Sequence, residues 1–255
     1  MFACIVAGVA GHVKTAGAVG DADWWRRQHA LAAARRPRPD GLTLARITEA
    51  ALAMLADGDL GDLTMRSLAR VLGTQAGSLY RHVASREELL VHLLDAALAH
   101  VPAPPPGDWR AGAAQLSRDH RQVWLRRPAL APLLSTYPML GPNSMRSREL
   151  ALTHHMAHGY SPQDASDIYT LLTRHVLGAV AARIGRSRRL RPTAAARRAL
   201  YAELPPDAYP TVVSLAPLSI RLSDDDIFGF TLEAILDRIE QQYRASGPGG
   251  APPGA

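Results

Sequence analysis

Cysteine is nearly absent from this 255-residue chain, where Cys4 stands alone. One thiol can form neither a disulfide within the chain nor a thiolate metal cluster. Cys4 is therefore expected to be an incidental thiol in a loose terminus. Aromatic residues make up only 5%, and no alternating strand pattern of any length or internal repeat is present. Long hydrophobic runs are missing too, since none approaches the ~20 residues needed to span a bilayer. The opening MFACIVAGVAGHVKTAGAVG is apolar but lacks the basic segment that precedes the apolar stretch of a secretory signal. A cytoplasmic protein is expected. The chain has no G-x-S-x-G, no H-E-x-x-H, no phosphate loop and no paired cysteine ligands. No catalytic constellation is visible, so the protein is not expected to be an enzyme, and no cofactor or metal is expected.

What is present favours helices. Ala, Leu and Arg dominate, and these have high helix propensity. Hydrophobic residues at 47% and charged residues at 20% describe a globular chain. The net charge of +6 tolerates an anionic partner without requiring one.

The most informative stretch is LTMRSLARVLGTQAGSLYRHV, Leu63 to Val83. Thr64 can cap a helix in which Leu68, Val71 and Leu72 face inward while Arg66 and Arg70 face out. Gly73 breaks it, and Thr74 can cap a short helix from Gln75 to His82. A helix from Thr43 to about Asp57 precedes the pair, with Leu44, Ile47, Ala51, Leu52 and Leu55 in an apolar stripe. Ser85-Arg86-Glu87-Glu88 reads as a capping box opening a long helix through Leu98. In a helix-turn-helix, the start of the second helix faces base edges while flanking groups grip phosphates. Gln75 suits bidentate pairing with adenine, and Ala76 suits a thymine methyl. Gly77 and Ser78 permit close approach. Tyr80, Arg81 and His82 offer donors to the DNA, although Tyr80 also suits a packing role. Thr64, Arg66 and Arg86 are expected to clamp the backbone.

Residues 1–40 read as a partly basic, flexible extension, residues 41–100 as the DNA-binding domain, 101–245 as a helical C-terminal domain, and 246–255 as a disordered tail. Proline-rich VPAPPPGD separates the two domains. Helices are expected from Trp109 to Arg127, Asn143 to His158, Ser161 to about Ile184 and Asp224 to Tyr243. The arginine-rich segment after Ile184 is expected to be a long loop with one mobile helix at most. Polar groups set among apolar ones make Gln115, Asp119, His120, Trp124, His155, Tyr169, Thr173 and His175 candidates for a small-molecule pocket. Each also suits a plain structural role. His154, His155 and His158 could lie on the surface, and His175 could be a core or interface histidine. No H-x-x-x-H pair is well supported by acids, and Asp224-Asp225-Asp226 reads as a helix-start cluster.

The helix RITEAALAMLADG, the pair LTMRSLARVLG and the string SLYRHVASREELL together resemble the tetracycline-repressor (TetR) family of transcriptional regulators. The segment HGYSPQDASDIYTLLTRHVLGAVAARIG and the last helix, FGFTLEAILDRIEQQY, look like that family's C-terminal domain. The resemblance spans roughly residues 43 to 243. It implies an all-α fold and a homodimer on a pseudo-palindromic operator of double-stranded DNA. It also implies release by a small-molecule effector, as in a repressor. In the family the two C-terminal helices pair with their copies from a second subunit. The implied seam residues here are Ile168, Leu172, Val176, Ala179, Phe228, Leu232, Ile235 and Ile239. The loop STYPMLGP lacks the magnesium-binding histidine of the tetracycline repressors, which argues against magnesium-tetracycline as effector. The alternative is a helical small-molecule-binding protein or enzyme with the front domain as an interaction module.

Overall fold

The computed structural model describes residues 18–34, 41–56, 58–184, 193–217 and 222–244. These residues are helical with no strand among them, in two compact units. The first comprises residues up to 100 together with 132–147. The second comprises 101–131 and everything from 148 on. Residues 132–147 thus group with the helices before residue 100 rather than with residues 101–131.

In the first unit, α2 (Leu44–Met54), α3 (Met65–Val71), α4 (Ala76–Leu79) and α5 (Arg86–Ala97) enclose one core. Ile47, Leu55, Leu63, Leu68, Leu79, Leu89 and Leu93 are fully buried in it. The Thr43 and Ser85 hydroxyls accept amide hydrogen bonds at the starts of α2 and α5. Glu88 reaches back as a capping box requires, but its carboxylate takes the Ala84 N–H at 2.6 Å. Thr64 and Ser67 form a reciprocal capping box on α3, which the sequence reading did not anticipate because serine at the third position is not the usual Glu or Gln.

The expected extension is corrected over its second half. Residues Ala22–Ala34 form a helix, α1, whose first amides are fixed by the Asp21 carboxylate accepting from Trp24 N–H at 2.7 Å. Trp24 and Trp25 are buried against Val91 and His92 of α5. Two indoles on one helical turn supply enough apolar area to hold a segment whose other residues show no sustained periodicity. The basic residues Arg35, Arg36 and Arg38, the first 17 residues with Cys4, and the 246–255 tail lie outside the described residues.

In the second unit, α6 (Trp109–Leu125), α8 (Pro162–Ile184) and α11 (Asp224–Arg244) pack on one another. Two elements have residues in both units: a 3₁₀ helix over Pro128–Ser135, where proline forbids continuation of α6, and the helix that follows it. Helix α7 (Pro142–Ala157) ends at Gly159, whose φ of 91° terminates it in the left-handed region. Residues 193–217 are more regular than expected, with helices α9 (Ala194–Ala202) and α10 (Pro210–Leu215). Thr193 caps the first and Pro210 starts the second, both signals present in the sequence. Arg110 of α6 meets Glu233, Asp237 and Glu240 of α11. Arg121, almost fully buried, bonds Asp225 at 2.7 Å and lies over the Phe228 ring. Its hydrogen bond and charge hold the Asp225 carboxyl below the usual range.

Six of the eight expected seam residues belong to this core instead. Ile168, Leu172, Val176, Phe228, Leu232 and Ile239 are buried within one chain, while Ala179 and Ile235 are only partly covered. The apolar faces of α8 and α11 are wide, and their inner stripes pack against α6 and each other. The large apolar residues left exposed on these helices are Leu171, Ile227 and Phe230.

Candidate nucleic-acid interface and ligand cavity

The reading end is built by two termini and one glycine. Helix α3 stops at Gly73, whose φ of 64° is the left-handed conformation glycine adopts without penalty. The chain then turns through Thr74, whose amide returns to the Ala69 carbonyl at 2.9 Å. Gln75, not Thr74, is the N-cap of α4, with extended backbone and no capping bond from its side chain. Helix α4 is shorter than expected, because residues 80–82 close it as turns rather than further helix.

Thr64, Arg66, Gln75, Gly77, Tyr80 and Arg81 are exposed around this turn, with Ala76, Ser78 and His82 half-buried. Leu79 and Val83 sit in the core beneath them. Tyr80 keeps half of its surface exposed, which disposes of the packing role. Arg81 reaches Ser78 Oγ at 3.0 Å, a bond that orients its guanidinium along the helix. Arg86 differs from expectation. Its guanidinium donates to the Leu63 carbonyl at 3.0 Å and to the Leu60 carbonyl, tying the α2–α3 loop to the start of α5. This arginine braces the unit before it can grip anything else.

The second unit holds a cavity with an empty volume of about 460 Å³, its open mouth included. Ala113, Leu116, Ser117, His120 and Trp124 of α6 line one wall, Ala151 and His155 of α7 another. Tyr169, Leu172, Thr173, Val176 and Leu177 of α8 complete it. Five of the eight candidate pocket residues converge here: His120, Trp124, His155, Tyr169 and Thr173. Gln115 and Asp119 do not, and instead bond each other at 2.9 Å on the outer face of α6. His175 is turned toward α11, stacked on Phe228 with ring centroids 4.8 Å apart. Apolar Leu116, Leu172, Val176 and Leu177 were missed as lining. Their positions at i, i+3 and i+4 from the polar candidates are the signal that could have found them.

His154 and His155 are buried rather than superficial, and His120 is half-buried. His154 contacts the Trp109 carbonyl at 3.0 Å and fills the space that Gly112 leaves by having no side chain. His155 is fully buried and accepts the Trp109 indole N–H at Nδ1, 3.0 Å away. Burial, with His154 and His158 adding positive charge nearby, pushes its pKa down to about 4. Burial also lowers His120, against a 2.8 Å contact to the Leu116 carbonyl. Among the described residues no three His, Cys, Asp or Glu side chains converge on a point that could hold a metal ion, and no helix is long and apolar enough to cross a membrane.

Comparison with known proteins agrees with this architecture from α2 to α11. Residues 47–93 match the profile described as "Bacterial regulatory proteins, tetR family". Residues 101–243 match "Tetracyclin repressor-like, C-terminal domain". The HTH-type transcriptional repressor DrrR1 of Streptomyces coeruleorubidus is 31% identical over 219 residues, covering 81% of this chain and 80% of that protein. Apo ActR from Streptomyces coelicolor superposes with a TM-score of 0.68 at 29% identity, over 83% of this chain and all of that one. ActR in complex with actinorhodin gives 0.66 at 30% identity, over 82% of this chain and 99% of that one. The chain belongs to the TetR family of bacterial transcriptional regulators: it is a helix-turn-helix DNA-binding protein and not an enzyme.

Proposed function

We propose that this protein is a cytoplasmic repressor that binds a pseudo-palindromic operator as a homodimer and is released when a small molecule fills the α6–α7–α8 cavity. The observation that carries this reading is the pairing, in one chain, of an exposed recognition turn and a largely apolar cavity. That cavity is lined mostly by apolar side chains around a few polar groups, the character of a small-molecule site. ActR, a relative with the same fold, is known in complex with actinorhodin.

In this reading Gln75 and Ala76 face base edges, Gly77 and Ser78 admit the groove wall, and Tyr80, Arg81 and His82 meet phosphates. Thr64 and Arg66, at the start of α3, add backbone contacts. Arg86 acts by holding the α2–α3 loop. Two reading helices bind half-sites about one DNA turn, ~34–36 Å, apart. An effector releases DNA only by binding the non-DNA state more tightly, and the coupling is reciprocal.

Gel-shift titration against the DNA upstream of its own gene tests the core of this. Gln75→Ala relaxes the preference at one base pair, costing ~1–3 kcal/mol at that position, whereas Tyr80→Phe weakens all sites alike. An unaltered selected-site profile for Gln75→Ala removes Gln75 from base reading. Absence of any sequence-preferring complex overturns the proposal.

A further inference from the structure

His155 carries a hydrogen-bond donor that the protein itself leaves unused. Its Nδ1 accepts from Trp109 Nε1 at 3.0 Å. An indole nitrogen only donates, so Nδ1 has a lone pair and the neutral ring's proton must sit on Nε2. That Nε2 is buried and has no hydrogen-bond partner. A buried N–H without an acceptor is costly and rare, and calls for an explanation. The ring lines the cavity, beside Leu116, Leu172 and Val176. No Asp, Glu, Lys or Arg is among the lining residues.

We infer that the effector is an uncharged, largely apolar molecule with an acceptor oxygen, such as a carbonyl, that takes the His155 Nε2–H, and that Trp109 is the positioning residue that fixes the tautomer. This rests on the effector-release reading and names the chemistry of that same cavity. The apolar walls supply burial and bind a hydrocarbon ring system without discrimination. The buried, unpaired His155 donor supplies selectivity, because a site holding such a group favours a ligand that satisfies it over an isostere that does not. A cationic ligand is disfavoured, since a donor faces it and no acid lines the wall. A carboxylate would meet a neutral N–H without a countercharge.

The test uses three tricyclic probes of one shape: fluorene, 9-fluorenone, which adds the acceptor, and 9-aminofluorene, which adds a cation. Binding to the full-length protein is followed by quenching of tryptophan fluorescence. 9-Fluorenone is expected to bind roughly three- to ten-fold tighter than fluorene, and 9-aminofluorene no tighter than fluorene. His155→Phe removes the donor and brings fluorenone and fluorene to equal affinity. His155→Gln keeps an N–H at the position of Nε2 and retains the preference, which also serves if the Phe variant fails to fold. Nitrogen-15 NMR of the labelled histidines reads the proton on Nε2 in the wild type and a mixed tautomer in Trp109→Phe.

Equal affinities in the wild type, no binding by any probe, a preference that survives His155→Phe, or a proton on Nδ1 each overturns the inference. Those failures leave operator binding in the gel-shift intact. Loss of operator recognition by the wild type itself would instead overturn the regulator reading.

Discussion

Asp95 is the most heavily engaged carboxylate in the first unit. From α5 it accepts from the Asn143 amide at 3.2 Å and side chain at 2.9 Å, and from the Ser144 amide and hydroxyl, both at 2.9 Å. It thereby satisfies the first amides of α7, where a carboxylate also suits the helix dipole. Asp95→Ala is expected to cost about 2–3 kcal/mol, because it leaves buried donors unpaired. Asp95→Asn should cost less, and thermal unfolding of the two variants checks the order. His155 supplies a second residue-level prediction. Burial holds its folded-state pKa near 4, below the 6.5 of an unperturbed histidine. Between those values the unfolded chain binds the proton more readily, so stability falls as pH drops from 6.5 toward 4. The loss by pH 4 is on the order of 3 kcal/mol. His155→Phe should flatten the slope of denaturant midpoint against pH across that window. A slope unchanged by the substitution would mean that other groups carry the acid sensitivity.

At the scale of elements, two glycines of the helix-turn-helix make opposite predictions. Neither Gly73 nor Gly77 has a neighbour within 4 Å of the position a Cβ would take, so substitution at either is governed by backbone preference, not collision. Gly73 lies at φ 64°, and Gly73→Ala is expected to cost about 1–2 kcal/mol. Gly77 lies within α4, and Gly77→Ala should stabilise the free chain by up to about 1 kcal/mol. If Gly77 admits the groove wall, that same variant binds operator more weakly, so unfolding and gel-shift data would move in opposite directions. The elements themselves were legible because their boundaries are local chemistry: Thr43, Thr64, Ser85 and Ser161 cap at sight, and Gly73 and Gly159 stop helices. Helix α1 was not, since what orders it is the docking of Trp24 and Trp25 on α5, a contact distant in sequence. Helix α4 is shorter than the expected Gln75 to His82 at both ends, one residue lost where Gln75 takes the cap and three where residues 80–82 form turns. The cavity was half legible. Residues 113, 116, 117, 120 and 124 share one face of α6, and a reading that weighed helical phase would have set Gln115 and Asp119 aside.

For the whole molecule the open question is what covers the outer faces of α8 and α11, and here the phase of one helix changes the experiment. Phe228 and Phe230 are two residues apart and so point about 200° apart around α11. Phe228 is 5% exposed and packs with Arg121 and His175, whereas Phe230 is 73% exposed. Ile227 on α11 and Leu171 on α8 are exposed as well. Burying a phenylalanine contributes about 1.5–3 kcal/mol, and a two-fold interface would count each residue twice. Phe230→Asp is therefore expected to leave far-UV circular dichroism and the unfolding temperature nearly unchanged while shifting the sedimentation mass to that of a monomer. Phe228→Ala, by contrast, should destabilise the second unit by about 3–5 kcal/mol, because it leaves a cavity between Arg121 and His175. Operator affinity of the folded Phe230→Asp monomer should fall by about 10²–10⁴-fold, the advantage that two linked half-sites have over one. Retention of the dimer by Phe230→Asp would place the interface elsewhere on the chain. A monomer that still bound the full operator at wild-type affinity would show that half-site pairing does not set affinity in this protein.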